Sequence, residues 1–165
     1  MKKTITMKLE INPHSGIGSI RFGMTRDEVN KILGEPDETE LFSLEEEDEE
    51  LTETWHYDEL EISMSFEEDL DFRLTTIATS SDDCLLLNKN VIGMSVAELK
   101  SFIETQNFGI LEEEDIEEDS DDEDGFSDFT TLKIEDKDIY FWFDNGVLSE
   151  VQFGAKFTED GIPVW

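Results

Sequence analysis

The side chains with the clearest catalytic potential are two histidines and one cysteine. His14, His56 and Cys84 are the only residues of their types, and a cysteine–histidine pair can perform nucleophilic chemistry. His56, however, falls at an outward position of an alternating segment that is typical of a β-strand. A nucleophile elbow, a glycine-rich phosphate loop and a cysteine–histidine metal spacing are all absent from the sequence. We therefore predict that the protein is not an enzyme, has no catalytic residue and uses no cofactor.

An acidic segment over residues 119–125 resembles the calcium loop of an EF-hand, but its register fails. With Gly125 at loop position six, Thr131 falls at position twelve, where a bidentate glutamate is needed. The sequence therefore predicts no dedicated metal site and leaves weak divalent-cation binding open. A hydrolase built from two carboxylates is a further alternative, because such pairs are too abundant here to single one out.

Acidic residues are concentrated in two runs that could attract a basic partner. The chain has 44 acidic and 12 basic residues, a formal net charge of −32. Residues 45–50 are all acidic, and residues 112–124 are acidic except at Ile116 and Ser120. The runs are either solvated loops or a means of steering a basic protein into contact. The candidate partner-binding residues of the longer run are Glu112, Glu113, Glu114, Asp115, Asp121, Asp122, Glu123 and Asp124.

The sequence patterns that predict helices and strands, which must position the candidate residues, occur twice along the chain. Gly-Met-Thr at residues 23–25 returns as Gly-Met-Ser at residues 93–95, and Thr25 and Ser95 each begin a capping-box pattern. Apolar residues at i, i+3 and i+4 behind each cap predict one helix face. Residues 54–66 align without gaps onto residues 131–143, and their strict alternation predicts antiparallel strands.

These patterns lead to a definite fold expectation. Each copy is expected to form a helix, a long loop and a three-strand meander, with third strands at residues 72–79 and 147–153. Asn145 and Gly146 predict a hairpin turn, and extra strands are expected at residues 5–11 and near 85–87. We predict an α+β fold in which two helix-plus-antiparallel-meander repeats form one continuous antiparallel sheet with helices on one face. The two modules are expected to span residues 1–83 and 84–165 as one compact unit.

The two copies differ at two outward strand positions. Ser63 and Ser65 in the first copy correspond to Tyr140 and Trp142 in the second. Tyrosine and tryptophan are enriched in binding hot spots, so these aromatic side chains are candidate anchors for a partner. The alternative is that the C-terminal tail covers them. We predict all four positions to lie on a partner-binding face.

The amino-acid composition also indicates the cellular compartment of the protein and the class of partner that it binds. A lone Cys84 excludes an internal disulfide framework and suits a reducing compartment. Lys2 and Lys3 are not followed by the apolar region of a signal peptide, so we expect a cytoplasmic protein without membrane contact. The negative charge should repel nucleic acid and attract a basic protein. We expect the protein to be a monomer.

One segment resembles a known family. Residues 17–29 read Ile-Gly-Ser-Ile-Arg-Phe-Gly-Met-Thr-Arg-Asp-Glu-Val, and residues 33–36 read Leu-Gly-Glu-Pro. This pattern resembles the helix-start motif of the SmpA/OmlA-type module, shared by outer-membrane assembly lipoproteins and the β-lactamase-inhibitor-protein-like (BLIP-like) fold. The resemblance implies a tandem of modules whose joined sheet grips a target with its concave face. For relatives without an export signal, it implies the role of presumed bacterial toxin-immunity proteins.

Our leading hypothesis is therefore a non-catalytic inhibitor, an intracellular immunity protein that neutralises a basic toxin such as a nuclease. The acidic loops would steer the partner, and Tyr140 and Trp142 would anchor it. Two alternatives remain open at this point. One is a scaffold or accessory protein of an assembly complex, of the SmpA/OmlA-like kind. The other is an acidic nucleic-acid mimic that binds a DNA-binding protein through charge alone.

Overall fold

The structure is a computed structural model, and it describes residues 8–43, 51–113 and 129–164. Two α-helices occur in this part of the chain, α1 (Arg26–Leu33) and α2 (Val96–Thr105). The strands are, in chain order, β1 (Ile11–Asn12), β2 (Gly16–Ile17), β3 (Ile20–Arg21), β4 (Glu38–Phe42), β5 (Thr52–Tyr57), β6 (Ile62–Glu67), β7 (Arg73–Thr79), β8 (Leu85–Leu86), β9 (Lys89–Asn90), β10 (Glu112–Glu113), β11 (Phe129–Ile134), β12 (Ile139–Asp144), β13 (Val147–Gly154), β14 (Lys156–Phe157) and β15 (Pro163–Val164).

An eight-stranded antiparallel sheet dominates the molecule. Its strand order is β10-β11-β12-β13-β7-β6-β5-β4. We call β4–β7 the first half-sheet and β10–β13 the second half-sheet. They meet where β7 pairs with β13, from Thr79 opposite Val151 to Thr76 opposite Gly154. The sheet thus crosses the predicted module boundary at residues 83 and 84, and the division into two modules stays a prediction. Three small sheets, β1-β2-β3, β8-β9 and β14-β15, complete the described strands.

Strict alternation in the strands creates the core face of the large sheet. In β6 and β12 every second side chain is buried, namely Ile62, Met64, Phe66, Ile139, Phe141 and Phe143. The helices add Val29, Leu33, Leu99 and Ile103 to the same cluster. Each such side chain contributes about 1.5–3 kcal/mol when it leaves water, so this cluster is the main stabilising feature. Trp55 and Tyr57 of β5 are buried in the same core.

Both helices begin where the capping patterns predict. The Thr25 hydroxyl accepts a hydrogen bond from the backbone N–H of Glu28 at 3.3 Å, and Ser95 does the same for Glu98 at 3.1 Å. In α1 the glutamate carboxylate accepts from the Thr25 hydroxyl at 3.2 Å. Gly34 ends α1 with a φ of 81°, a left-handed conformation that glycine adopts without a steric penalty.

The predicted fold class is wrong. The described residues are mostly β, and the two helices have only 8 and 10 residues beside an eight-stranded sheet. Helix-plus-three-strand repeats therefore do not describe the architecture. Each half-sheet has four strands, because β4 and β10 form within segments that the sequence predicted as loops. Both short strands gain their hydrogen bonds from distant neighbours, a contribution that local sequence patterns do not contain.

Several local strand predictions hold despite the wrong fold class. The segments around residues 54–66 and 131–143 form the hairpins β5–β6 and β11–β12, and the third strands are β7 and β13. Asn145 and Gly146 adopt φ values of 53° and 79°, the positive pair expected of a tight hairpin turn. Near the two expected extra strands, the described residues form β1 (Ile11–Asn12) and β8 (Leu85–Leu86), and residues 5–7 of the first prediction lie outside the described residues. No helix within the described ranges is long and apolar enough to cross a membrane.

Candidate protein-binding face

The side chains that alternate with the core residues form the opposite surface of the large sheet, which we call the polar face. Strand pairing aligns these residues in rows across the sheet. The polar face includes Glu38, Glu40, Phe42, Thr52, Thr54, His56, Ser63, Ser65, Thr76, Ala78, Glu112, Thr131, Lys133, Tyr140, Trp142, Glu150 and Gln152. Ser63, Ser65, Tyr140 and Trp142 therefore share one surface, as the sequence predicted.

Trp142 on β12 is one of the aromatic side chains of the polar face. Its strand neighbours are Thr131 on β11 and Glu150 on β13. The Trp142 indole Nε1 and the Thr131 Oγ1 are both buried, and neither has a hydrogen-bond partner among the described residues. Tyr140 is the next aromatic side chain along the same strand face, and it is partly buried.

The matching positions of the first half-sheet are satisfied by their neighbours. The Ser65 hydroxyl lies 3.1 Å from the Thr54 hydroxyl, at hydrogen-bond distance. The Ser63 hydroxyl lies 2.7 Å from His56 Nδ1, and His56 Nε2 lies 3.2 Å from Glu40 Oε2. These contacts tie β4, β5 and β6 together on the polar face. The two serines therefore take part in two sets of side-chain contacts, Ser65 with Thr54 and Ser63 with His56 and Glu40.

A cavity of about 260 Å³ lies between these two regions, and we call it the central hollow. It is lined by His56, Tyr57, Asp58, Glu61, Ile62, Ser63, Ala78, Ser80 and Glu150. Burial raises the pKa of the Glu150 carboxyl, because the ionised form is partly removed from water. The hollow thus contains the partly buried carboxyl group of Glu150, which lies opposite Trp142 in the strand pairing.

Only two of the predicted acidic residues lie within the described chain. Glu112 and Glu113 form β10 and are exposed, with Glu112 opposite Lys133 and Glu113 opposite Leu132. The other candidates lie outside the described residues, namely Glu114, Asp115, Asp121, Asp122, Glu123 and Asp124. The calcium-like segment and residues 45–50 lie there too. In the described ranges, no group of three or more histidine, cysteine or acidic side chains could hold a metal ion.

The groups considered for catalysis lie in different environments. His14 sits in the turn between β1 and β2, with Nε2 2.9 Å from the Asp136 carbonyl oxygen. His56 belongs to the hydrogen-bond network of the polar face. Cys84 is buried, and burial raises the pKa of its thiol to about 12. A thiol with that pKa is almost fully protonated at neutral pH, so Cys84 is a poor nucleophile.

Comparison with known proteins adds little to this geometry. No family of proteins matches the chain, and no curated protein matches it significantly. Among solved structures, the chain is similar to the "1.5 Angstrom resolution crystal structure of an extracellular protein containing a SCP domain from Bacillus anthracis str. Ames". The TM-score is 0.47 at 15% identity, covering 82% of this chain and 44% of the other. The chain thus spans less than half of that protein's length, and a likeness at this level carries no functional argument.

Sequence reasoning placed His56, Tyr140 and Trp142 at outward strand positions, but it missed Glu150 and Glu40 on the polar face and the contacts that His56 makes there. Glu150, His56 and Glu40 acquire their roles from neighbours on other strands. The sequence did contain a signal for Glu150. Pairing residues across the predicted Asn145-Gly146 hairpin places Glu150 opposite Trp142. The contact between His56 and Glu40 had no such signal, since β4 was predicted as a loop.

Proposed function

We propose that this protein is a non-catalytic inhibitor that binds another protein, and that it acts as an immunity protein against a basic toxin such as a nuclease. The observation that carries the proposal is the presence of two partly buried aromatic side chains, Tyr140 and Trp142, on the face of the sheet opposite the core. Tryptophan and tyrosine at the centre of an interface are typical hot spots.

Charge supports a basic partner. The formal net charge of −32 would accelerate encounter with a cationic protein, and this acceleration would fall as salt is added. Glu150 in the central hollow would gain a counter-ion from an inserted lysine or arginine. Aromatic anchoring and acidic steering therefore favour the same class of partner.

The proposal also includes a cytoplasmic location and a relationship to the SmpA/OmlA-type module. A cytoplasmic site of action suits the single buried cysteine, which has no internal disulfide to form. Kinship with the SmpA/OmlA-type module rests on the residue pattern of 17–36. Monomeric action fits the strong self-repulsion of a highly charged chain.

The test begins with capture from native lysate at low salt. Wild-type protein, a Tyr140→Ala/Trp142→Ala variant and a Ser63→Ala/Ser65→Ala variant serve as baits. We expect a basic protein that the wild type and the serine variant retain and the aromatic variant loses. That protein is then purified, its affinity is measured by calorimetry, and its toxicity is scored with and without co-expression of the wild-type chain.

Two results would contradict this proposal. One is equal affinity of the purified protein for the wild type and the aromatic variant. The other is a captured protein whose activity and toxicity are unaffected by co-expression, which would favour a scaffold role. Binding that is lost at high salt and is equally strong for the wild type and both variants would instead favour the acidic nucleic-acid mimic, which needs no aromatic face.

A further inference from the structure

The outer edge of β4 is an open position in the large sheet. Among the residues that the structure describes, β4 is the last strand in the sheet order and pairs with β5 alone. All five of its residues are exposed. Its register with β5 runs without a shift from Glu38 opposite His56 to Phe42 opposite Thr52. Because an edge strand bonds on one side only, its outward N–H and C=O groups are available to a further strand.

This edge lacks most of the devices that prevent pairing with another chain. Proteins protect edges with lysine, proline, bulges or very short strands. Within the described chain, the opposite edge strand β10 has only two residues, whereas β4 has five and contains no lysine or proline. Its protection consists of the two carboxylates Glu38 and Glu40. Negative charge excludes acidic strands and leaves basic strands free to approach.

The side chains of β4 define what would fit beside them. Glu38, Glu40 and the exposed Phe42 project on the polar face. Thr39 and Leu41 project on the other face, and 57% of the surface of Leu41 is exposed. Residues on an added strand would lie about 4.5–5.5 Å from those directly opposite. A strand that alternates basic and apolar residues would place cations beside the carboxylates and apolar groups beside Leu41.

We propose that the outer edge of β4 accepts an extended basic strand of a partner protein, which adds a ninth strand to the sheet. This inference rests on the proposed function in one respect, since it takes the partner to be a basic protein. A second copy of the chain fits poorly. Two β4 edges would bring four glutamates together between molecules that each carry a net charge of −32.

The probe is a capped peptide of about ten residues in which lysine alternates with valine, a pattern that suits strand addition. Binding is followed by calorimetry and by hydrogen exchange of the intact chain. We expect slower exchange of the β4 amides that do not bond to β5. The matched control peptide has the same sequence and charge but carries N-methyl groups on alternate residues, so that one edge cannot form hydrogen bonds. We expect it to bind at least about tenfold more weakly.

Charge-reversed variants provide the second test. Glu38→Lys/Glu40→Lys should weaken peptide binding at least about tenfold, because both facing carboxylates are lost. Glu159→Lys/Asp160→Lys makes the same change in net charge at exposed positions near β15 and should change binding much less. Equal weakening by both variants, or equal binding of the N-methylated peptide, would show electrostatic attachment without strand addition and would overturn the inference.

The outcome can be separated from that of the proposed function. The Tyr140→Ala/Trp142→Ala variant leaves β4 intact and should bind the peptide as the wild type does. A natural partner that depends on Trp142, together with a peptide that fails to protect β4, would overturn strand addition alone. Peptide protection of β4 without any Trp142-dependent partner would overturn the proposed function alone.

Discussion

The two half-sheets have a shift of strand register at matching positions but present different side chains beside it. The register shifts after Ser65 on β6 and after Trp142 on β12. At the first shift the Thr75 hydroxyl lies 3.5 Å from the carbonyl oxygen of Ser65, and at the second the Ser149 hydroxyl lies 3.0 Å from that of Trp142. The backbone solution is thus alike, and the difference lies in the side chains that it presents.

That difference concerns hydrogen bonding as much as size. In the first half-sheet, Ser63 and Ser65 find partners on β5. In the second, the Trp142 N–H and the Thr131 hydroxyl are buried without partners among the described residues. The outward serines of the first half-sheet thus form hydrogen bonds with β5, whereas the second half-sheet presents larger aromatic side chains at the matching positions. Which of these positions contact a partner stays a prediction.

The largest expected effect tests whether the half-sheets share one core. Phe66 and Phe143 are both fully buried, so Phe66→Ala and Phe143→Ala should each lower the free energy of unfolding by about 3–5 kcal/mol. Urea unfolding followed by circular dichroism and tryptophan fluorescence measures the loss. Phe42→Ala on the exposed edge is the control and should cost much less. A second unfolding transition in either core variant would mean that the half-sheets unfold separately.

The next effect concerns binding alone. Replacing Tyr140 and Trp142 with alanine should cost on the order of 2 kcal/mol or more in affinity for the captured partner, because both side chains would lie in the interface. Calorimetry supplies the affinity, and thermal unfolding checks that the variant is folded. Ser63→Ala/Ser65→Ala should change affinity by less than about 0.5 kcal/mol. A larger loss from the serine variant would reverse the roles of the two half-sheets.

Removing either helix cap should lower the free energy of unfolding by the same amount. Thr25→Ala and Ser95→Ala each remove one acceptor for a backbone N–H and should cost about 1 kcal/mol of unfolding free energy. Chemical denaturation measures both. Ser101→Ala, at an exposed position within α2, is the control and should not destabilise the protein. If one cap variant alone were destabilising, the two helices would differ in their contribution to the core.

The smallest effect concerns the pH dependence of stability near Trp142. The folded-state pKa of Glu150 is raised above its unfolded value by burial. The folded state therefore binds more protons, and stability falls as pH rises from the ordinary glutamate pKa through the raised value. Glu150→Gln should remove this penalty, so that the variant unfolds at a higher temperature than the wild type at pH 7.

The advantage of Glu150→Gln should shrink as pH falls towards the ordinary glutamate pKa, where the wild-type carboxyl is protonated too. Thermal unfolding across this pH range provides the measurement. Glu159→Gln makes the same change in net charge at an exposed position and corrects for general repulsion. An identical gain from both variants would show that Glu150 contributes only through net charge. Weaker partner binding by Glu150→Gln would link the carboxylate to recognition.

Sequence alone determined the features that depend on neighbours along the chain. Thr25 and Ser95 cap their helices through bonds that span three residues, and Asn145-Gly146 forms its turn with no distant partner. The alternation of β12 placed Tyr140 and Trp142 opposite the core residues, because successive side chains of a strand point to opposite faces. These predictions needed no knowledge of which strands would pair.

Tertiary structure decided the remainder, because strand pairing joins residues that are far apart in sequence. The pairing of β7 with β13 created the single large sheet, and the additions of β4 and β10 overturned the predicted fold class. Pairing also put the partly buried Glu150 and the buried Thr131 beside Trp142. Burial is a property of the assembled sheet. The sequence could thus name the aromatic pair, but only the fold revealed the neighbours of Trp142 and the position of β4 at the end of the described sheet.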